Sequence, residues 1–221
     1  MDKTHIVAAY DDDLKNLQNK VIELGRACES QLNNTIEALS NKDTELAKKT
    51  VKEDKNVNKL QHEVDQLSIK LLAMRQPVAG DLRNVIGGLR IATDLERIAD
   101  YAANISQVII DIAGVEIEHP LQLLIQMCEI ALEMLEGAVT SYIESDEELA
   151  VHVWHMDDKL DKTYSALLDQ LRSCMTEDKK SINACTQMIF GARCSERMGD
   201  HITNVVEGVY YIKTGKEYHG D

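Results

Sequence analysis

The chain has few of the residues that make turns. Only two prolines, Pro77 and Pro120, occur in 221 residues, and a β-sandwich of this size would need many more turn residues, so an all-β fold is excluded. Aromatic residues are scarce as well. One Phe, one Trp and seven Tyr make too small a surface for the stacking of nucleobases. Positive charge is also in deficit: 24 Lys and Arg stand against 38 Asp and Glu, a formal net charge of −14. Binding to a phosphodiester backbone asks for clustered Lys and Arg, so no nucleic-acid partner is expected. No apolar run approaches the roughly 20 residues of a membrane span. The first residues, MDKTHIVAAYDDD, lack a basic leader and an apolar signal core. Cysteines fall at 28, 128, 174, 185 and 194, an odd number without metal-finger spacing. Reduced thiols in a cytoplasmic protein are the expectation.

What the chain has in abundance is helical periodicity. Apolar residues recur at steps of three and four from Val7 through Leu14, Leu24 and Leu32 to Leu39, which keeps one stripe on one face. SNKD interrupts. A second segment runs from Leu46 to Met74, and RQPVAGD stops it because proline disfavours helix in the preceding residue. A third runs from Leu82 to Ile112 and ends near Gly114, a candidate C-terminal cap. Pro120 sits where a fourth begins, and this one continues to Tyr142. SDEE at 145–148 reads as a capping box, with Ser145 reaching forward and Glu148 back. A fifth helix is expected over about 146–175 and a sixth over about 179–213, ending before Gly215. Short connections make neighbours antiparallel. The expected fold is therefore all-α, with six long helices.

The second half repeats the first. A shift of one hundred residues lays Leu24, Cys28, Glu29 and Leu32 over Leu124, Cys128, Glu129 and Leu132, and Glu96, Arg97, Asp100 and Asn104 over Glu196, Arg197, Asp200 and Asn204. In the middle, DTELA at 43–47 lies over DEELA at 146–150, a shift of 103. Such ordered matches indicate an internal duplication that yields two tandem three-helix bundles, 1–115 and 116–221.

The repeated pattern E-R-x-x-D-x-x-x-N is the candidate site. At about 100° per residue, Leu95, Ile98, Ala102 and Ile105 share one side of the third helix, and Glu96, Asp100 and Asn104 form a stripe nearly opposite. The sixth helix repeats this with Glu196, Asp200 and Asn204. Acids four apart repel, so each pair calls for a counter-charge. Arg97 and Arg197 can supply it, giving a solvated acidic face. A bound cation can also supply it, because carboxylates and an amide oxygen are hard ligands. The hairpin register adds donors: a fold-back near residue 77 sets Asp54 and Asn58 opposite Asp100 and Glu96, and one near 177 brings Asp157, Asp158 and Asp161 toward Glu196 and Asp200. The candidate metal ligands are thus Glu96, Asp100, Asp54 and Asn58 in the first half, and Glu196, Asp200, Asp157 and Asp161 in the second. Leu82, Ile86 and Leu89 share the stripe's side upstream, so that face can also meet a partner. His201 reads as a surface residue and His62 as a partly buried structural one. No catalytic constellation emerges, and Gly87–Gly88 make no phosphate loop because no strand precedes them.

DLERIADYAANI and CSERMGDHITNVVEGVYYIKTGK, with the helix order around them, resemble the two signature stretches of the PhoU family. The resemblance spans essentially the whole chain. It implies a cytoplasmic, non-enzymatic, negative regulator of phosphate uptake and phosphate-starvation signalling. Such a regulator is an adaptor between the ATPase subunit of a phosphate ABC transporter and a sensor histidine kinase, peripheral to the membrane through these partners, and a homodimer. It further implies metal clusters, of iron or zinc, on Glu96, Asp100, Glu196 and Asp200, with Arg97, Asn104, Arg197 and Asn204 in support. In the turn before the motif the first copy has Arg90 and Asp94, the second Phe190 and Cys194, so the two sites need not be equivalent. Two other classes stay open from the residues: an iron-storage or oxidase protein built on clustered carboxylates, and a metal-free structural protein. The first would carry inward Glu-x-x-His pairs, and no pair with that geometry is evident.

Overall fold

The computed structural model describes residues 3–115 and 117–220, with side chains from Tyr10 onward except at position 118. The side chain of Val7 and the expected boundary at residue 116 lie outside the described residues. Six α-helices follow one another: α1 Lys3–Asn41, α2 Thr44–Arg75, α3 Ala79–Asp111, α4 Glu118–Glu144, α5 Glu147–Glu177 and α6 Ile182–Thr214, the last preceded by a 3-10 turn at Lys179–Ser181. The first three pack on one another, as do the last three. The two sets join through α1 against α4 and α3 against α6.

The duplication is written into the turns. Asp43 caps α2 by accepting from the backbone N–H groups of Glu45 and Leu46, and Asp146 caps α5 by accepting from those of Glu148 and Leu149. Both follow a residue in the left-handed region, Lys42 and Ser145. The expected capping box therefore does not form: Asp146 and not Ser145 is the N-cap, and the residue three beyond it is Leu149, which has no polar side-chain group to reach back. Ser145 closes α4 with φ 53°, and the carboxylate after it, a stronger acceptor, starts α5. Gly114, expected as the cap of α3, lies beyond the C-cap Ile112 with φ +82°. Pro120 falls in the first turn of α4, where its missing N–H has no helical partner to lose.

Polar residues inside the apolar stripe of α1 set its position against α3. Cys28 Sγ donates to the carbonyl of Leu95 at 3.2 Å, Gln31 Nε2 to that of Ala99 at 3.0 Å, and Thr35 Oγ1 to that of Ala102 at 3.2 Å. Thr35 Oγ1 also lies 2.9 Å from Ser106 Oγ. These contacts advance together along both helices, so α1 and α3 run parallel. Buried polar groups must be paired, and only one sliding position pairs all of them. The thiol of Cys28 is pushed up by burial, and that of Cys128, its repeat partner, is pushed up to about 12 for the same reason. Both are inert packing groups.

Between the halves, α3 and α6 cross antiparallel. A methyl group at Gly87 would overlap Ile212, and one at Gly208 would approach Ile91 Cγ1 to 3.0 Å. Each helix thus seats an isoleucine on the other's glycine. Gly25 does the same for Val139 between α1 and α4. Buried side chains from all six helices merge into one apolar core.

Candidate functional site

The first carboxylate cluster is built by the α2–α3 hairpin and one residue of α1. Glu96 and Asp100 project from α3 toward Asp54 of α2, close enough for its charge to disturb the ionisation of both. Burial raises the pKa of Glu96, and Asp100 and Asp54 add to it; burial followed by Asp54 raises that of Asp100. Arg97 opposes both, with Nη1 3.2 Å from Asp100 Oδ2 and Nε 3.7 Å from Glu96 Oε2. Asp54 is held from two sides: Gln31 Nε2 donates to Oδ1 at 3.1 Å, and Asn58 Nδ2 to Oδ2 at 3.1 Å. The stripe is half-buried rather than fully solvated, because α2 covers the side that the wheel of α3 alone leaves open. The side chain of Glu96 is only 21% exposed.

The second cluster is more acidic and less neutralised. Asp157 of α5 has its pKa pushed up to about 6, first by burial and then by Asp161, Asp200, Asp158 and Glu196. It lies in a notch on α6: a Cβ at Gly199 would come 2.5 Å from Asp157 Oδ1. Glu196, also raised by burial and Asp200, keeps Oε2 buried without a hydrogen bond. Arg193 Nε lies 3.7 Å from it, without hydrogen-bond geometry. Arg197 contributes to the field at Glu196, yet the ion pair to Glu196 comes from Arg193, one turn before the motif, whereas in the first cluster the arginine of the motif itself, Arg97, pairs with Asp100. The clusters are therefore not equivalent.

The hairpin registers read from the sequence bring Asp54 to Glu96 and Asp100, Asp157 to Glu196 and Asp200, and Asp161 to Glu196, whereas Asp158 acts only on its neighbour Asp157 and Asn58 bonds Asp54. The terminal asparagines do not join them. Asn104 is exposed, and Asn204 Nδ2 turns to the other half, donating to Asp94 Oδ1 at 3.2 Å. His201 is not a plain surface residue: its Nδ1 lies 2.8 Å from the same Asp94 oxygen and its ring leans on Tyr101, with centroids 5.7 Å apart. Asp94, His201 and Asn204 form a polar latch between α3 and α6. No hairpin fixes that pairing, so spacing gave no hint of it. His62 is exposed, not partly buried, and meets Gln66 at 2.9 Å. Gln31 and Arg193 were also missed. The Gln31 contact depends on how α1 slides along α3, and Arg193 lies outside the repeated pattern.

Among the described residues, no three or more His, Cys, Asp or Glu side chains are gathered into a finished metal-ligand set. Carboxylates without a counter-ion stand apart because they repel. The chemistry of the donors nonetheless fits a cation. Glu196 presents a buried oxygen without a hydrogen, and Asp157 carries an unfavourable negative charge that a cation would relieve.

That charge yields a test in chelator-treated protein. In the unfolded chain Asp157 titrates near 3.8; in the folded one near 6. The folded state thus holds the proton more tightly, and stability falls as pH rises through this window. Asp157→Asn is expected to raise the melting temperature at pH 7.5, and the gain should disappear below about pH 4, where the acid is protonated in both states. Melting curves of the two proteins across pH measure it; a gain that persists at low pH would argue against the ionisation as its cause.

A family model described as the PhoU domain matches residues 7–109 and 124–209. The chain belongs to the PhoU family. Among curated proteins, the "Phosphate-specific transport system accessory protein PhoU homolog" of Rhizobium meliloti is 35% identical, covering 100% of this chain and 94% of its own. That of Zymomonas mobilis is 37% identical over 96% of this chain and 90% of its own. The PhoU protein of Escherichia coli is 30% identical over 97% of this chain and 89% of its own. The crystal structure of PhoU from Pseudomonas aeruginosa superposes with a TM-score of 0.90 at 28% identity, covering 94% of this chain and all of the other. The two PhoU stretches each contain one carboxylate cluster, so the family match spans both.

Proposed function

We propose that this chain is an accessory regulator of a phosphate-uptake system, restraining uptake and phosphate-starvation signalling when phosphate is plentiful. The observation that carries this reading is the full-length similarity to relatives named as accessory proteins of the phosphate-specific transport system. In this reading the protein is cytoplasmic and acts by binding rather than by catalysis. Its partners are the ATPase subunit of the transporter and a sensor histidine kinase, and it works as two three-helix units, 1–115 and 116–221, within a homodimer. None of the described helices is long and apolar enough to cross a membrane, which agrees with recruitment through partners. Regulation then requires different affinity for two states of a partner. Exposed Met74, Val78 and Leu82 at the α2–α3 turn supply apolar contact at the end of that hairpin, roughly 20–30 Å along the helices from the first acidic cluster.

Metal is part of the proposal. Glu96, Asp100, Asp54 and Asn58 would hold one cation, and Glu196, Asp200, Asp157 and Asp161 the other. Oxygen donors alone favour a hard ion, such as ferric iron, over zinc. A bound ion would neutralise the repelling acids and fix α2 on α3 and α5 on α6, presenting a defined face.

Deletion of the gene is the decisive experiment. In phosphate-rich medium it should raise phosphate uptake and switch on phosphate-starvation genes; unchanged behaviour would refute the regulatory reading. Elemental analysis of purified protein tests the metal separately. Glu196→Ala with Asp200→Ala should remove the second site's ion and leave the first, and unaltered metal content would remove the assignment.

A further inference from the structure

A cavity of about 620 Å³ belongs to neither carboxylate cluster. It opens between α3, α5, α6 and the C-terminal residues that follow α6. Its size falls within the roughly 300–1,000 Å³ of small-molecule pockets. Trp154 of α5, Tyr211 of α6 and Tyr218 of the tail line it, together with the carboxylates of Asp94, Glu207 and Glu217. Arg90 is the one Lys or Arg in the lining.

The parts are held in place. Trp154 Nε1 donates to Glu207 Oε1 at 3.1 Å, which fixes the ring and leaves Oε2 for another donor. Asp94 Oδ1 takes the bonds from His201 and Asn204, which leaves its Oδ2. Tyr218 packs edge-on against Trp154 with centroids 5.4 Å apart and lies 5.3 Å from Tyr210, so the tail forms a fixed wall. Aromatic rings attract cations, carboxylates pair with them, and a chain of net charge −14 draws them in from solution.

We propose that this cavity is a binding site for a small organic cation of the alkylguanidinium or alkylammonium class. Its charged head would lie between Glu207 and Asp94, and its hydrocarbon part against Trp154 and Tyr211. Because Asp94 also latches α3 to α6 through His201 and Asn204, the ligand would bear on the contact between the two halves. The site is independent of the metal reading.

Trp154 is the only tryptophan in the chain, so its fluorescence reports on the cavity alone. Purified full-length protein is titrated with agmatine, with uncharged butylurea and with inorganic phosphate, in chelator and at matched ionic strength. A saturable change with agmatine, weakened about tenfold or more by Glu207→Gln and absent with butylurea and phosphate, is the expected result. The glutamine keeps an acceptor for the Trp154 indole, and unchanged circular dichroism verifies the fold. Asp94→Asn is a second variant expected to weaken binding should Glu207→Gln fail to fold. No saturable response to agmatine, an equal response to butylurea, or affinity unaltered in the folded variants would overturn the proposal.

Discussion

Leu95→Ala is expected to lower the unfolding free energy by about 2–5 kcal/mol, the range for truncating a fully buried leucine. Leu95 is 1% exposed and stands where the halves of the molecule meet. With Val21 of α1, Val139 of α4 and Val205 of α6, it borders a small void of about 10 Å³. Four helices constrain this place, and the Leu95 carbonyl is tied to Cys28, so the walls cannot easily close over a larger hole. A loss near the upper end of the range is the expectation. Urea denaturation gives the result directly, with Ile69→Ala as control. Ile69 is 64% exposed, and an exposed site away from special features should shift stability by no more than about 0.5 kcal/mol. Equal effects at both positions would refute the account of the core.

Gly87→Val is expected to cost about 1–3 kcal/mol or more through overpacking. A Cβ at this position overlaps Cγ1 and Cδ1 of Ile212, and α3 and α6 cannot both keep their paths. The damage should fall on the contact between the halves, so the His201–Asp94 latch and the neighbouring cavity should loosen as well. Broadened His201 imidazole signals in NMR spectra would show this alongside the denaturation midpoint. Gly80→Ala provides the contrast. A methyl group there meets only Arg83 Nη2, at 3.8 Å, and alanine is the better helix former by roughly 0.5–1 kcal/mol. A stabilised Gly87→Val would mean that α3 and α6 are not in the close contact described.

Both effects depend on contacts between helices distant in sequence, and there the sequence was least readable. Within a hairpin, reading went far. Asp54 opposite Asp100, and Asp157 opposite Asp200, followed from where Pro77 and the 177 region turn the chain, because a short turn fixes the register of what it joins. Asp43 and Asp146 were also within reach, as local signals that a side chain can satisfy two residues on. The choice of Asp146 over Ser145 turned on one backbone angle.

Across elements joined only by distant chain, spacing carried no register. His201 read as surface because the wheel of α6 knows nothing of α3. Asn204 read as part of an acidic motif because Asn104 repeats it, yet Asp94 has no repeat partner of its own kind: position 194 is Cys. The duplication therefore breaks at the latch, where one half supplies the acid and the other the histidine and the amide.

The sequence by itself determined the six amphipathic helices, their hairpin order, the duplicated carboxylate pairs and the resemblance to the PhoU family. The helices and their order reside in periodicity and short turns, and the resemblance in the two motif stretches; these are local properties of the chain. Only the tertiary structure decided that α2 and α5 half-bury the acidic stripes, that the second cluster is the more strained in charge, and that α3 and α6 lock through Gly87, Gly208 and Asp94. These depend on how preformed helices slide and rotate against one another, and that is settled by the fit of side chains into a shared core.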